Sequence, residues 1–291
     1  MHKPLPPELT FGALFGPRRE YDYFRAAAAH PFPADAADFG PLVATRLADL
    51  ALLAYVPERT FVRDVLERAG FADVRFFLKR RTFGLAATAG GTVVVAFRGT
   101  NSLERFPQNL KLLLEREGEG KVHAGYREAV DLVWPRLEAH LGERPAWFAG
   151  HSLGGGLAVV AAARYAATRG VVTFGAPRVG DRDYRDAFPA PAFRFVNNAD
   201  MVPDLPPGLG YRHVGRLLYF DRDGNLREGP SRWDRAVDVL EAHVDRARRT
   251  VDRWRKGDWA ALAYDGLIDH APVLYAILAW NAFVATLPGT A

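Results

Sequence analysis

Trp147-Phe148-Ala149-Gly150-His151-Ser152-Leu153-Gly154-Gly155 joins a strand to a helix with almost no residues between them. Trp147 to Ala149 is a short apolar run of strand character, and a helical apolar pattern begins at Leu153 and is read as far as Thr168. A serine on so sharp a turn is strained and stands exposed above the end of a sheet. Gly150 and Gly154 leave no side chain to hold strand and helix apart. The helix N-terminus behind Ser152 favours an anion forming there.

Outward from this turn, the chain alternates strand and helix patterns. Val74 to Leu78, Thr82 to Ala87 and Thr92 to Phe97 read as strands, the last two joined by a turn containing Gly90 and Gly91. Val93-Val94-Val95-Ala96-Phe97 is apolar at every position, as required of a strand covered on both faces. Val171 to Phe174 and Phe193 to Val196 continue the theme, so the predicted class is α/β, with a mostly parallel central sheet flanked by helices. Pro41 to Tyr55 and Thr60 to Ala69 read as helices divided by Pro57. Residues 1–40, rich in proline and alanine, read as an irregular N-terminal arm, and 41–291 as a single domain. Near the C-terminus Trp233, Val237, Leu240, Val244, Ala247, Val251 and Trp254 alternate at steps of four and three, which predicts a long amphipathic helix over about 231–256. Ser231 with Asp234 three residues on forms its expected N-cap.

Composition narrows the classes. The 291 residues are 49% hydrophobic and 25% charged, the balance of a soluble globular protein. With no cysteine, disulfides, thiolate metal sites and cysteine nucleophiles are excluded by count. A formal charge of +4 is spread among acidic residues, which argues against nucleic acid as a partner. Met1 to Pro7 lacks the features of a secretory signal, and Ala271 to Leu287, interrupted by Asn281, reads as a buried helix and not a membrane span. The expected setting is soluble and, by default, cytoplasmic. Glu117-Gly118-Glu119-Gly120-Lys121 lacks the leading glycine and following Ser or Thr of a phosphate loop, and no metal-ligand spacing occurs, so neither cofactor nor metal is expected.

A serine hydroxyl is a poor nucleophile until an imidazole takes its proton, and the imidazole needs a carboxylate to hold its tautomer. On a strand–serine–helix turn the chain order is serine, acid, histidine. Asp200 follows the strand Phe193 to Val196, with Asp204 as a bland loop competitor. His213, His243 and His270 come after it. Leu153, next after the nucleophile, offers one backbone N–H for an oxyanion.

Further landmarks are Phe97-Arg98-Gly99-Thr100, Val122-His123-Ala124-Gly125-Tyr126, Gly175-Ala176-Pro177-Arg178-Val179-Gly180, Asn198-Ala199-Asp200-Met201-Val202-Pro203-Asp204-Leu205-Pro206-Pro207, and Asp269-His270 with Tyr275 nearby. In order and rough spacing, from about Pro41 to Tyr275, the chain resembles the fungal-lipase-like group known as class 3 lipases. The resemblance implies the α/β-hydrolase fold, with Ser152, Asp200 and His270 as catalytic triad and Thr100 joining Leu153 in the oxyanion hole. It implies that His213 is structural, that Arg98 neighbours the oxyanion loop without touching substrate, and that about 101–120 is a lid whose Leu103, Phe106 and Leu110 meet substrate. His243, beside the apolar stripe of the long helix, reads as a helix-face residue. Pro107 and, after His270, Pro272 depart from the family's pattern.

The function so implied is a lipase or carboxylesterase that hydrolyses acyl esters, acylglycerols among them, through an acyl-enzyme. A lipid or small ester is then the partner, with transient contact at a lipid interface. Phospholipase A1, galactolipase or acyltransferase action on the same triad is the alternative within the fold. A non-catalytic lipase-like binding scaffold is the alternative of another class. Oligomeric state is not legible in these residues.

Overall fold

The structure, a computed structural model, describes residues 2–6, 14–16, 19–36, 38–99, 113–208, 210–231, 234, 237–238, 240 and 265–288. The main helices are α1 (Pro41–Leu53), α2 (Arg59–Arg68), α3 (Ala124–Leu141), α4 (Leu153–Arg164), α5 (Arg182–Asp186) and α6 (Pro272–Val284). The strands are β1 (Ala72–Lys79), β2 (Thr82–Ala89), β3 (Thr92–Phe97), β4 (Leu114–Glu117), β5 (Gly120–His123), β6 (Ala146–His151), β7 (Thr168–Phe174), β8 (Ala192–Asn197), β9 (Arg216–Phe220) and β10 (Leu226–Glu228).

Eight strands form one sheet in the order β1-β2-β3-β6-β7-β8-β9-β10. The five central strands β3, β6, β7, β8 and β9 run parallel, and antiparallel strands close both ends. Period-two geometry sends alternate side chains of one strand to opposite faces. Val94, Ala96, Trp147 and Ala149 accordingly enter one core with α1 and α6, while Val93, Val95, Phe97, Ala146 and Phe148 enter the other with α3 and α4. This two-sided burial is what the unbroken apolar run of β3 predicts, and Ala271 to Leu287 is the buried helix expected of it, over Pro272–Val284. Among the described residues no helix is long and apolar enough to cross a membrane.

Several local expectations shift. The helix after Ser152 ends at Arg164, four residues before Thr168, where Tyr165 turns extended and the Thr168 hydroxyl bonds to the carbonyls of Ala162 and Tyr165 at 2.9 and 2.8 Å. Part of the expected lid, 114–120, lies in the antiparallel hairpin of β4 and β5, and 101–112, with Leu103, Phe106 and Leu110, falls outside the described residues. Strands β9 and β10 had no reading from sequence. Where the long helix was expected to start, Ser231 Oγ accepts from Asp234 N at 3.1 Å, and Asp234 Oδ2 accepts from Ser231 N at 3.1 Å, the reciprocal cap the spacing suggested. The continuation through His243 to residue 256 lies outside the described residues.

The start of the N-terminal arm is pinned, not loose. Lys3 is 4% exposed, its Nζ 3.3 Å from Asp49 of α1 and 3.0 Å from the Tyr21 hydroxyl. Its backbone exchanges hydrogen bonds with the Asn281 amide of α6 at 2.8 and 3.0 Å. Burial lowers the Lys3 pKa and raises that of Asp49, each partly offset by the partner's charge.

Candidate active site

Parallel strands aim their C-terminal ends at one edge of the sheet, and loops leaving that edge are where α/β sheets build sites. Ser152 leaves β6 there with φ +58° and ψ −133°, a left-handed backbone that costs a non-glycine residue energy. Its N–H bonds to Phe174 O at 2.9 Å, which fixes the turn from the neighbouring strand. A Cβ on Gly154 would collide with the Phe97 carbonyl, and one on Gly150 with the Gly154 backbone, so both glycines are required by close approach.

His270 places Nε2 2.9 Å from Ser152 Oγ, and its Nδ1 lies 2.8 and 3.0 Å from the two Asp200 oxygens. With Nδ1–H donating to the carboxylate, Nε2 carries the lone pair that faces the serine. Asp200 also accepts from the Tyr275 hydroxyl at 2.6 Å and Val202 N at 2.9 Å. Burial and the adjacent Asp200 charge raise the Tyr275 pKa far above its ordinary value, so this phenol stays a donor. Ser152 and His270 are wholly buried and Asp200 is 4% exposed. Leu153, as first residue of α4, has no intrahelical acceptor for its N–H. Thr100 falls outside the described residues.

The other candidates are elsewhere. His213 Nε2 donates to Pro203 O at 2.8 Å, a loop bond. Asp204 pairs with Arg178 at 3.3 Å. Arg98 is half-buried, its guanidinium 5.1 Å over the Phe83 ring.

Two supports were not anticipated. The Asp269 carboxylate accepts from Asn198 Nδ2 and Ala199 N, both at 3.3 Å, and Asn197 Nδ2 donates to Asp269 O at 2.9 Å, so the loop before His270 is lashed to the one carrying Asp200. The second runs through His151. Its Nε2 faces His270 O at 2.7 Å and therefore bears the proton, which leaves Nδ1 to accept from the Tyr55 hydroxyl at 2.8 Å. Tyr55 in turn accepts from Gly99 N–H. Burial and the neighbouring His270 hold the His151 pKa well below its ordinary value, so it stays neutral. A chain of neutral hydrogen bonds thus ties the end of β3 to the backbone of His270. Only the position of His151 beside Ser152 hinted at this.

Known proteins similar to this chain include lipases. The sequence model of the lipase (class 3) family matches residues 94–209. Lipase A of Sodiomyces alcalophilus is 33% identical over 211 residues, covering 55% of this chain and 49% of that protein. Phospholipase A1-II 2 of Oryza sativa subsp. indica is 31% identical over 189 residues, 47% of each chain. The chain thus spans about half the length of the curated relatives it matches. The solved triacylglyceride lipase of Rhizomucor miehei superposes with a TM-score of 0.51 at 24% identity, over 61% of this chain and 77% of that one, which shows a shared fold. Residues 94–209 thus match the class 3 lipase family, within a fold shared with a solved lipase.

Proposed function

We propose that the protein is a serine ester hydrolase, a lipase or carboxylesterase acting on acyl esters, acylglycerols among them, through Ser152, His270 and Asp200. The observation that carries this reading is the buried chain Ser152 Oγ–His270–Asp200 with separations of 2.9 and 2.8 Å. Ser152 Oγ attacks the acyl carbon as its proton passes to His270 Nε2. The tetrahedral oxyanion is met by Leu153 N–H and, by the family's pattern, by Thr100. Each such donor contributes about 2.7–4 kcal/mol to the transition state. Collapse expels the alcohol, protonated by His270, and leaves an acyl ester on Ser152. Water, deprotonated by the same imidazole, then adds to that ester, and its collapse frees the acid and restores Ser152. Asp200 holds the imidazole in the tautomer that both steps need. Complete burial of Ser152 accords with a site that opens to substrate. The rice relative's name favours a second reading on the same residues, phospholipase A1 action.

Incubation with a fluorophosphonate probe, followed by peptide mass spectrometry, is expected to label Ser152, with loss of p-nitrophenyl ester hydrolysis in step. Folded protein that neither labels nor turns over any ester would leave the binding-scaffold reading in place.

The His151 tether supplies a separate expectation. Tyr55→Phe removes the hydroxyl between Gly99 and His151 and leaves two buried polar groups unpaired, about 1–3 kcal/mol each. We expect kcat to fall by about tenfold with KM nearly constant, at the energy of roughly one hydrogen bond. A lowered melting temperature with unchanged kcat would reduce the tether to a purely structural role.

A further inference from the structure

A lysine that is 4% exposed needs partners for its charge and its N–H donors. Lys3 Nζ donates to the Tyr21 hydroxyl at 3.0 Å and to Asp49 Oδ1 at 3.3 Å, and the same hydroxyl donates to Asp49 Oδ1 at 3.3 Å. The ammonium also lies 4.6 Å over the Tyr21 ring and 5.5 Å over that of Trp280 on α6, both within reach of a cation–π attraction. Carboxylate, phenol and ring faces make a cage for a primary ammonium. Arg46 closes its far side: the guanidinium is 5.5 Å over the same Trp280 ring, and its Nε and Nη2 donate to His30 O and Arg25 O at 3.1 and 3.0 Å.

The cage joins two helices that also serve the active site. Asp49 is on α1, and Lys3 N donates to Asn281 Oδ1 of α6 at 2.8 Å while Asn281 Nδ2 returns a bond to Lys3 O at 3.0 Å. From Asp49 the chain runs on to Tyr55, with Ala54 N and Tyr55 N bonded back to Leu50 O and Leu52 O at 3.0 and 3.1 Å. Along α6 it runs back from Asn281 to Tyr275, the donor to Asp200. The His151 ring lies 5.7 Å from each of these tyrosine rings, so α1 and α6 run in opposite senses and bring both phenols to one place. At 1.5 Å per helical residue, that place is about 9 Å from the cage. A buried ion pair adds little net stability, because desolvation offsets its attraction, but it fixes one register between the elements it joins. Slip of α1 past α6 would move Tyr55 relative to Tyr275, and with them the His270 backbone relative to Asp200.

We infer that Lys3 is a positioning residue for the ester-hydrolase site, and that the cage of Asp49, Tyr21 and Trp280 is a binding site for a primary alkylammonium, which Lys3 fills as a tethered ligand. An apolar side chain of equal length would fill the volume and leave Asp49 without its ammonium. A divalent cation would need several oxygens where the rings offer none. The positioning role rests on the ester-hydrolase reading; the ammonium site does not.

The test follows the rate at which a fluorophosphonate labels Ser152, which needs the triad and no acyl acceptor, beside a thermal melt. Lys3→Met is expected to label about tenfold more slowly, within the roughly hundredfold cost of a 1 Å misplacement far from the chemistry. Lys3→Ala should slow likewise. Added n-propylammonium, which restores the deleted atoms, should recover its labelling rate and raise its melting temperature, whereas 1-propanol should do neither. The parent protein, its cage filled, should respond to neither additive. Labelling of Lys3→Met at the parent rate, whatever its melting temperature, would overturn the positioning role, and this holds even where Lys3→Ala fails to fold. Recovery by 1-propanol as strong as by n-propylammonium would overturn the ammonium site. If n-propylammonium raises the melting temperature of Lys3→Ala while the parent never labels, the ammonium site stands, and the hydrolase reading falls with the positioning role.

Discussion

Ser152→Ala is expected to lower kcat for a simple ester by about 10⁴-fold or more, the scale seen when a triad nucleophile is removed. The change deletes the oxygen 2.9 Å from His270 Nε2 and leaves the backbone bond from residue 152 N–H to Phe174 O available. Alanine meets the same left-handed strain as serine at φ +58°, so the fold should be kept and the melting temperature should move little. The measurement is steady-state hydrolysis beside a thermal melt. Retained turnover in a folded variant would exclude Ser152 as the nucleophile and leave the triad reading without its first member.

Asp200→Asn carries the second largest effect, about 10⁴ in kcat by analogy with a triad acid turned to its amide. Three donors converge on this carboxylate: His270 Nδ1–H, the Tyr275 hydroxyl and Val202 N–H. An amide offers one oxygen and one NH₂, so one donor must face another, and the imidazole escapes by taking the wrong tautomer. Its Nε2 then presents a proton to Ser152 instead of a lone pair. Because substrate does not touch Asp200 in this scheme, KM should change little. Tyr275→Phe provides the graded comparison. It removes one donor to the same oxygen and should cost about tenfold, near the lower end of the energy of a hydrogen bond to a charged group. Were Asp200→Asn to retain most of kcat, the acid would have to be sought elsewhere, and Asp204, 67% exposed and paired with Arg178, would not serve.

How far the site was legible depends on the range over which each signal acts. Ser152 was readable because strand, glycine turn and helix are contiguous, and the strained backbone is dictated within a few residues. Asp200 and His270 were assigned through a resemblance spread over many landmarks, since nothing local separates His270 from His213. Their surroundings do separate them: one ring reaches Ser152 and Asp200, the other Pro203 O. Strand β10 escaped notice because it has three residues, none of them buried, and so carries no period-two signature. The overlong reading of α4 failed because Ala166, Ala167 and Thr168 continue a helical pattern that the Thr168 hydroxyl terminates. The Tyr55–His151 bond spans 96 residues, and only the place of His151 beside Ser152 hinted at it.

By itself, the sequence determined what is written in local periodicity and turn chemistry. That covers an α/β alternation, strands buried on both faces, a serine on a glycine-flanked turn, and the reciprocal cap of Ser231 with Asp234. Tertiary structure alone decided which side chains meet. Strand order sets β6, β7 and β8 side by side, and this brings Asp200 and His270, 70 residues apart, to one another and His270 to a serine 118 residues away. The physical reason is that hydrogen-bonded pairing of non-adjacent strands and two-sided core packing are non-local. A residue's own neighbours in the chain fix its backbone, while its chemical partners are fixed by segments that the fold alone makes adjacent.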